Sequence, residues 1–551
     1  MLNRILNAIE NQKISILEWI VAFVGIIFVR FFLEVISSPT SLGFIPSDAQ
    51  TLTQYGLSFL AIIFGIICIA GYFSKTGTVV AKLALYGLPI IWLGPIIDII
   101  TSLGKGHTIT YIFDGPRTLL LDFLTFFGQQ VTLGLRIELF FVICAVGFYV
   151  WYIRKNIKIT ICAILSSYLF LFFIFALPSL LFSVQHIYAL VGQATTFDVV
   201  RFLSVSISQS NIFYNTIDAS LSYGSAIRVF ELGFDGLLAQ ICFILSLVFM
   251  SLWFWRIKRE KFLAILKNSR PERVLFYSIF ISAGAIFAFL SGLGGFRSWI
   301  DVMSFIILLI SWYGGWMFAV HTNDMADVGI DSVSNPNRPI VIGKLSVEEM
   351  KQSAIIWLLV SLLGSFIVGP YTFFMNLVFL ATYYIYSMPP LRLKRVPILS
   401  SFLISIACLS SVLAGFFFLS ADKHFSIFPM MIALGIIVAF TLGVNVRDMK
   451  DIDGDKADGI GTLPVLFGRK GEKAIAIMGA IFFLILPIIF SFYTLYILTI
   501  PAAIVGYKIV VRKPYREKYV FILYFSFILA TVLLVGGLYL FALRQNLLSS
   551  F

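Results

Sequence analysis

The chain has 551 residues, 60% of them hydrophobic and 12% charged, with a mean hydropathy of +0.97. A soluble globular chain carries roughly 25% charged residues, so composition excludes that class. The formal charge of +12 does not mark a nucleic-acid binder, because the basic residues fall in short clusters between apolar runs: 154–158, 256–267, 392–395 and 508–518.

Apolar runs recur from Ser15 to Leu543, each close to the ~20 residues that cross a bilayer, and their number predicts about fifteen spanning helices in an all-α polytopic membrane protein. The basic clusters follow even numbers of crossings, as the positive-inside rule requires. The N-terminus is then cytoplasmic and the C-terminus external, in the plasma membrane of a prokaryote. The first run, Ser15 to Ile36, follows Arg4 and Lys13. It is too long for a signal-peptide core and lacks a small-residue cleavage site, so it is read as a retained anchor.

About six spans precede residue 256, near 14–36, 56–73, 82–102, 137–153, 159–183 and 237–255. Between them, 103–136 and 184–236 fall on the external side. The second carries Phe197, Val200, Phe202 and Leu203 in one patch, the pattern of a helix lying on a membrane surface. Arg30 and Glu34 stand at i, i+4 and can pair, while Glu18 and Asp98 are further ionisable groups in or near the spans. Such groups are either functional or snorkel from helix ends. Cys68, Cys144, Cys162, Cys242 and Cys408 are isolated within apolar runs, without metal-ligand or disulfide spacing, and read as small buried hydrophobes. Residues 1–255 are therefore read as an accessory transmembrane domain, 256–273 as a basic cytoplasmic linker, and 274–551 as a second domain.

About nine spans follow, near 275–293, 298–320, 353–369, 372–387, 398–420, 426–445, 474–492, 494–511 and 517–541. External connections in this half are short and poor in charge; cytoplasmic ones are longer and polar. Two of the polar loops carry the chemistry. Asp324, Asp327 and Asp331 stand at i, i+3 and i+7, with Asn323 before them and Asn337-Arg338-Pro339 after. Asp448, Asp451 and Asp455 repeat the spacing, with Arg447 before them. On a helix each trio falls within about 60° of one face. Three like charges on one face repel, so the arrangement calls for a cation. Four spans separate the loops, an even number that brings both to the same membrane face. Carboxylates without His or thiolate select a hard ion, Mg²⁺ rather than Zn²⁺, and Mg²⁺ typically shares carboxylates with substrate phosphates. Asp453 and Asp458 read as solvated acids beside the motif.

These loops resemble those of the UbiA superfamily of intramembrane prenyltransferases, over roughly residues 262–545. The two aspartate motifs, the following Asn-Arg-Pro and the nine spans all fit. Ser269-Arg270-Pro271 stands where the family has a substrate-side arginine. Tyr386 to Lys394 is similar to the loop after the fourth span in the chlorophyll-synthase-like and archaeal lipid-synthase-like branches. Pro390 occupies the lysine position of the family's Tyr-x-x-x-Lys pattern, leaving Arg392 and Lys394 as replacements and the role of Tyr386 open. The loop after Asp331 lacks the His-Pro-x-Lys-Arg string of the phosphoribosyl-transferring branch.

The resemblance implies a Mg²⁺-dependent transferase with a polyprenyl diphosphate donor, a hydrophobic acceptor, membrane lipid as surroundings, and pyrophosphate as product. The acceptor would be an aromatic quinone precursor or a prenylated glycerol phosphate. Arg270, Arg338, Arg392, Lys394 and Arg447 are the cations that would face the leaving group. A cyclase on the same scaffold and a transporter or divalent-ion binder are the rival readings. The carboxylates lie at loop and helix-end positions, not at a midplane helix break, which disfavours transport.

Overall fold

The computed structural model describes residues 2–37, 49–103, 116–128, 131–185, 196–210, 223–457 and 459–549. The reading of Asp458, and parts of the two external stretches, lie outside these residues. The described residues are helical, with no strand. The principal helices are α1 (Ile16–Ser37), α2 (Ala49–Ser74), α3 (Leu93–Ser102), α4 (Leu133–Arg154), α5 (Ile157–Phe175), α6 (Tyr223–Ile257), α7 (Pro271–Leu290), α8 (Trp299–Ala326), α9 (Val347–Val368), α10 (Pro370–Ser387), α11 (Leu399–Leu419), α12 (Met430–Gly443), α13 (Arg469–Ile489), α14 (Tyr496–Val511) and α15 (Glu517–Ser549).

Among the described residues fourteen helical segments are long and apolar enough to cross a bilayer, one fewer than the sequence count. The exception is α10. Its Thr372, Asn376, Thr382, Tyr383 and Tyr386 are buried in the protein, and they lower the hydropathy of a helix that packs between α9 and α11.

The chain divides into two compact units. One comprises Met1–Leu263 with Phe296–Ile307, the other Ala264–Gly295 with Leu308–Phe551. The first turns of α8 thus belong to the N-terminal unit, a feature that the apolar pattern does not reveal. The segment read as a basic linker is largely helical: α6 runs to Ile257 and a short helix covers Arg259–Lys267.

In the N-terminal unit, Arg30 pairs with Glu34 at 3.1 Å and also with Glu138 at 3.2 Å. Asp98 accepts from the Thr132 hydroxyl and the Gly134 N–H. Gly94 and Gly134 leave room for these carboxylates where a Cβ would collide. The patch read as lying on a membrane surface is corrected in part. It forms the helix Thr196–Gln209, but Leu203 is fully buried against Phe182, Ile207, Leu237 and Ile300, with Phe202 packed alongside. Phe197 alone of the patch is strongly exposed. Cys242 and Cys408 are buried as expected, whereas Cys144 and Cys162 are exposed on their spans.

In the C-terminal unit α7 packs on α11, α11 also on α10 and α12, and α13 on α12 and α14. The α7–α11 approach is backbone-close. A Cβ on Gly284 would run into the Val412 carbonyl, and one on Gly415 into that of Ile281. Small residues at a crossing are how helices gain packing in lipid, where apolar burial gives no net drive.

Candidate active site

Both aspartate loops lie at one end of this unit. The short helix Val328–Ser334 packs against the short helix Ile452–Ala457, which puts the two acidic segments side by side. Neither trio lies on a continuous helix, and the single-face reading is corrected here. α8 stops at Ala326, Asp327 has φ −112° and ψ 18°, and a new helix starts at Val328. In the second loop a 3₁₀ segment ends at Met449, and helix resumes at Ile452. Each break turns the flanking carboxylates toward different partners.

Those partners are protein cations and amides. Asp324, fully buried, accepts from Arg270 at 2.6 Å and from the Asn268 amide at 2.7 Å. Asp327 accepts from Arg392 and Asn323, each at 2.7 Å, and from Lys394. Asp331 accepts from Asn335 at 2.9 Å. Arg338 stands between Asp324 and Asp331, 3.7 Å from each, and donates to Asn268 at 3.4 Å. Like-charge repulsion within the first trio is therefore relieved by four fixed cations. Among the described residues no three His, Cys, Asp or Glu side chains converge closely enough to hold an ion by themselves.

The second trio is less compensated. Arg447 approaches Asp448 at 3.5 Å and stacks over the Tyr386 ring at 5.1 Å. Burial pushes the Asp455 carboxyl up to about 7, and the Asp448 and Asp451 carboxylates push the same way. Burial also raises Asp331 and lowers Lys394, each against the pull of its partner. Asp453 is exposed.

Among the described residues, Asp331 Oδ2, Asp451 Oδ1, Arg270 Nε and Arg338 Nε are buried polar atoms of the site that make no hydrogen bond. Buried polar groups are normally satisfied, so an acceptor of the second trio and a donor of Arg270 are left open to a ligand, and the long Asp331–Arg338 contact leaves room for one. Arg270 and Arg392 also hold left-handed backbone, with φ 54° and 43°. A non-glycine residue in this region is uncommon and mildly strained, and such residues cluster at ligand sites.

Arg270, Asn323, Arg338, Tyr386, Arg392, Lys394 and Arg447 lie at this end of the unit with the two trios. The sequence did not disclose Asn268, Asn335 or Ser387, which donates to Asn323 at 3.1 Å. Single amides carry no pattern; only the fold puts Asn268 beside Asp324, 56 positions away.

Arg447 also borders a cavity of about 340 Å³. Its walls come from α7, α12, α13 and α15 and include Phe276, Phe280, Phe440, Phe482, Tyr524 and Phe527. The site thus joins an ionic mouth to an apolar chamber within the helical bundle of this unit.

The model of the UbiA prenyltransferase family matches residues 279–530, and this part of the chain is similar to that family. The digeranylgeranylglyceryl phosphate synthase of Sulfolobus acidocaldarius is 30% identical over 185 residues, covering 33% of this chain and 64% of that protein. The chloroplastic homogentisate solanesyltransferase of Arabidopsis thaliana is 30% identical over 191 residues, covering 33% and 48%. The chain therefore spans less than two thirds of either relative. A solved UbiA homolog from Archaeoglobus fulgidus bound to GPP and Mg²⁺ aligns at 21% identity with a TM-score of 0.39, over 46% of this chain and 88% of that one.

Proposed function

We propose that the chain is a Mg²⁺-dependent intramembrane prenyltransferase, moving a polyprenyl group from its diphosphate to a hydrophobic acceptor and releasing pyrophosphate. The carrying observation is the paired deficit at the ionic mouth. Asp451 leaves a carboxylate oxygen open and Arg270 an Nε donor, while Asp331 Oδ2 and Arg338 Nε face each other at 3.7 Å without a hydrogen bond. A ligand that satisfies both brings a cation and an oxyanion together, as a metal diphosphate does. The donor set also fits the ion, since six carboxylates without His or thiolate suit Mg²⁺. Asp324, Asp327, Asp331, Asp448, Asp451 and Asp455 would hold it. When bound, Mg²⁺ supplies positive charge to the departing diphosphate.

The rest falls to the chain's own residues. Breaking an allylic carbon–oxygen bond puts growing negative charge on the leaving group. Arg270, Arg338, Arg392 and Lys394 are already fixed by Asp324, Asp327 and Asp331. Cations held in place before reaction stabilise that charge without reorganising. Arg447, held over the Tyr386 ring, borders the cavity, whose aromatic walls exclude water and receive the apolar parts of the substrates. The named relatives support both acceptor classes read from the sequence, a prenylated glycerol phosphate and an aromatic quinone precursor. The mouth faces the cytoplasm of a prokaryotic cell, by the charge of its flanking loops, and residues 1–255 serve as an accessory bundle.

The test is pyrophosphate release by purified protein in lipid, with and without acceptor. Release that requires acceptor and Mg²⁺ is the expected result. Acceptor-independent release would indicate a cyclase or hydrolase, and none with either acceptor class would favour binding or transport.

A further inference from the structure

The cavity has a second polar group on its wall, outside the two acidic loops' own ion pairs. Arg273 lies in the first turn of α7, and Glu517 opens α15. Arg273 donates to Glu517 at 2.7 Å, with its guanidinium 4.7 Å over the Phe521 ring. Lys450 approaches the other Glu517 oxygen at 3.5 Å. Arg273 and Glu517 both line the cavity, continuous with the apolar faces of α7 and α15 that form its walls.

Two cations share one carboxylate here, so the cluster carries an excess positive charge. Arg273 donates one hydrogen bond among the described residues, of the five that a guanidinium offers. Lys450 is 43% exposed. The same short loop thus serves two sets of groups, with Asp448 and Asp451 in the acidic site and Lys450 between them reaching Glu517.

We propose that Arg273, Lys450 and Glu517 form the headgroup site for the acceptor, and that the acceptor carries an oxyanion, either a phosphate monoester or a carboxylate. This rests on the prenyl-transfer reading above. The acceptor's apolar body enters the cavity between α7 and α15. Its oxyanion takes over donors of Arg273 and Lys450 that Glu517 otherwise holds. A guanidinium binds such groups through paired, charge-assisted hydrogen bonds. Glu517 also acts as a filter: an uncharged ligand cannot displace it, whereas an anion competes on equal terms. The bond-breaking step stays at the acidic loops.

The experiment uses full-length protein in lipid with Mg²⁺ and three acceptor probes: a prenylglycerol phosphate, the same alcohol without its phosphate, and homogentisate. Donor affinity is read separately, with an unreactive prenyl thiolodiphosphate. Arg273→Gln and Lys450→Gln should each raise KM for a charged acceptor about tenfold or more, the loss of about one ionic contact, with kcat and donor affinity little changed. Arg273→Lys should recover most of the loss, and Glu517→Gln should lower that KM. Which of the two charged probes responds identifies the oxyanion. Equal KM shifts for charged and uncharged acceptors, or an unaltered KM in Arg273→Gln, would overturn the headgroup site while leaving prenyl transfer standing. Wild-type protein that binds no thiolodiphosphate and transfers to none of the probes would overturn both.

Discussion

Asp327 accepts from Asn323, Arg392 and Lys394 together, and its loss would take the paired carboxylate away from two cations in a largely buried place. Removing one partner of such a pair costs far more than the pair contributes. Asp327→Asn keeps the shape and tests charge alone. It should lower kcat roughly a hundredfold or more, the scale of losing one fixed electrostatic contact at a reacting group, with folding checked by thermal unfolding in detergent. Asp324→Asn, Asp448→Asn and Asp451→Asn should behave alike. Asp453→Ala, at an exposed position in the same run, should stay close to wild type. Comparable losses at Asp453 and Asp451 would show that acidity of the loop, rather than placement of its carboxylates, is what matters. Because Arg392 and Lys394 meet one carboxylate, their effects should not add. A double-mutant cycle in kcat should give a coupling of at least about 0.5 kcal/mol.

At the scale of helices, the α7–α11 crossing holds the two sides of the C-terminal unit together. Gly284 and Gly415 abut backbone carbonyls rather than flexible side chains, so the neighbours cannot yield without moving a helix. Gly284→Val or Gly415→Val should destabilise the bundle by about 1–3 kcal/mol, the usual cost of overpacking, seen as a lower unfolding temperature in detergent. Gly292→Val, with nothing near its added atoms but φ +71°, should cost less through packing and act mainly through its backbone. The orientation is checked by cysteine labelling in a background without native cysteines. Lys344, Arg395 and Arg469 should react from the cytoplasmic side and Asp422 from the other; all four positions are exposed. Reaction of Asp422 and Lys344 from one side would break the even-crossing argument. The sequence made the helices legible because lipid demands long apolar runs, and it made the acidic loops legible because two identical spacings rarely arise by chance. What lies between was less legible. α10, counted as a span from the sequence, is a helix whose Thr and Tyr side chains are buried in the protein. The break at Asp327 lies beside a partner distant in sequence, Arg392, 65 positions away. The Arg273–Glu517 pair joins residues 244 positions apart, and no periodicity announces it.

For the whole molecule, the open question is how much of the chemistry the C-terminal half can perform alone. All the carboxylates and cations of the candidate site fall between Arg270 and Asp455, inside one compact unit. A chain starting near Arg259 should therefore retain binding of a prenyl diphosphate with Mg²⁺. The division of the fold attaches a cost to this cut. Phe296–Ile307, the start of α8, belongs to the N-terminal unit. There Ser304 donates to Gln240 at 2.7 Å, Asp301 accepts from Ser210 at 2.8 Å, and Ile300 is fully buried in the cluster around Leu203. Truncation removes these two partners, while Asp301 keeps the N–H groups of Arg297 and Ser298. Hydrogen bonds between membrane helices contribute about 0.6 kcal/mol each, so the two lost bonds cost on the order of 1 kcal/mol, with lost packing in addition. Asn323 and Asp324 lie in the last turn of α8, which stops at Ala326. The expected outcome is a truncated protein that binds the thiolodiphosphate within a few-fold of full length but unfolds at lower temperature. Ser304→Ala with Ile300→Ala in the full-length chain should reproduce part of that thermal loss without removing any span. A truncated protein that unfolds as late as full length yet binds no diphosphate would show that the N-terminal unit contributes to the site itself.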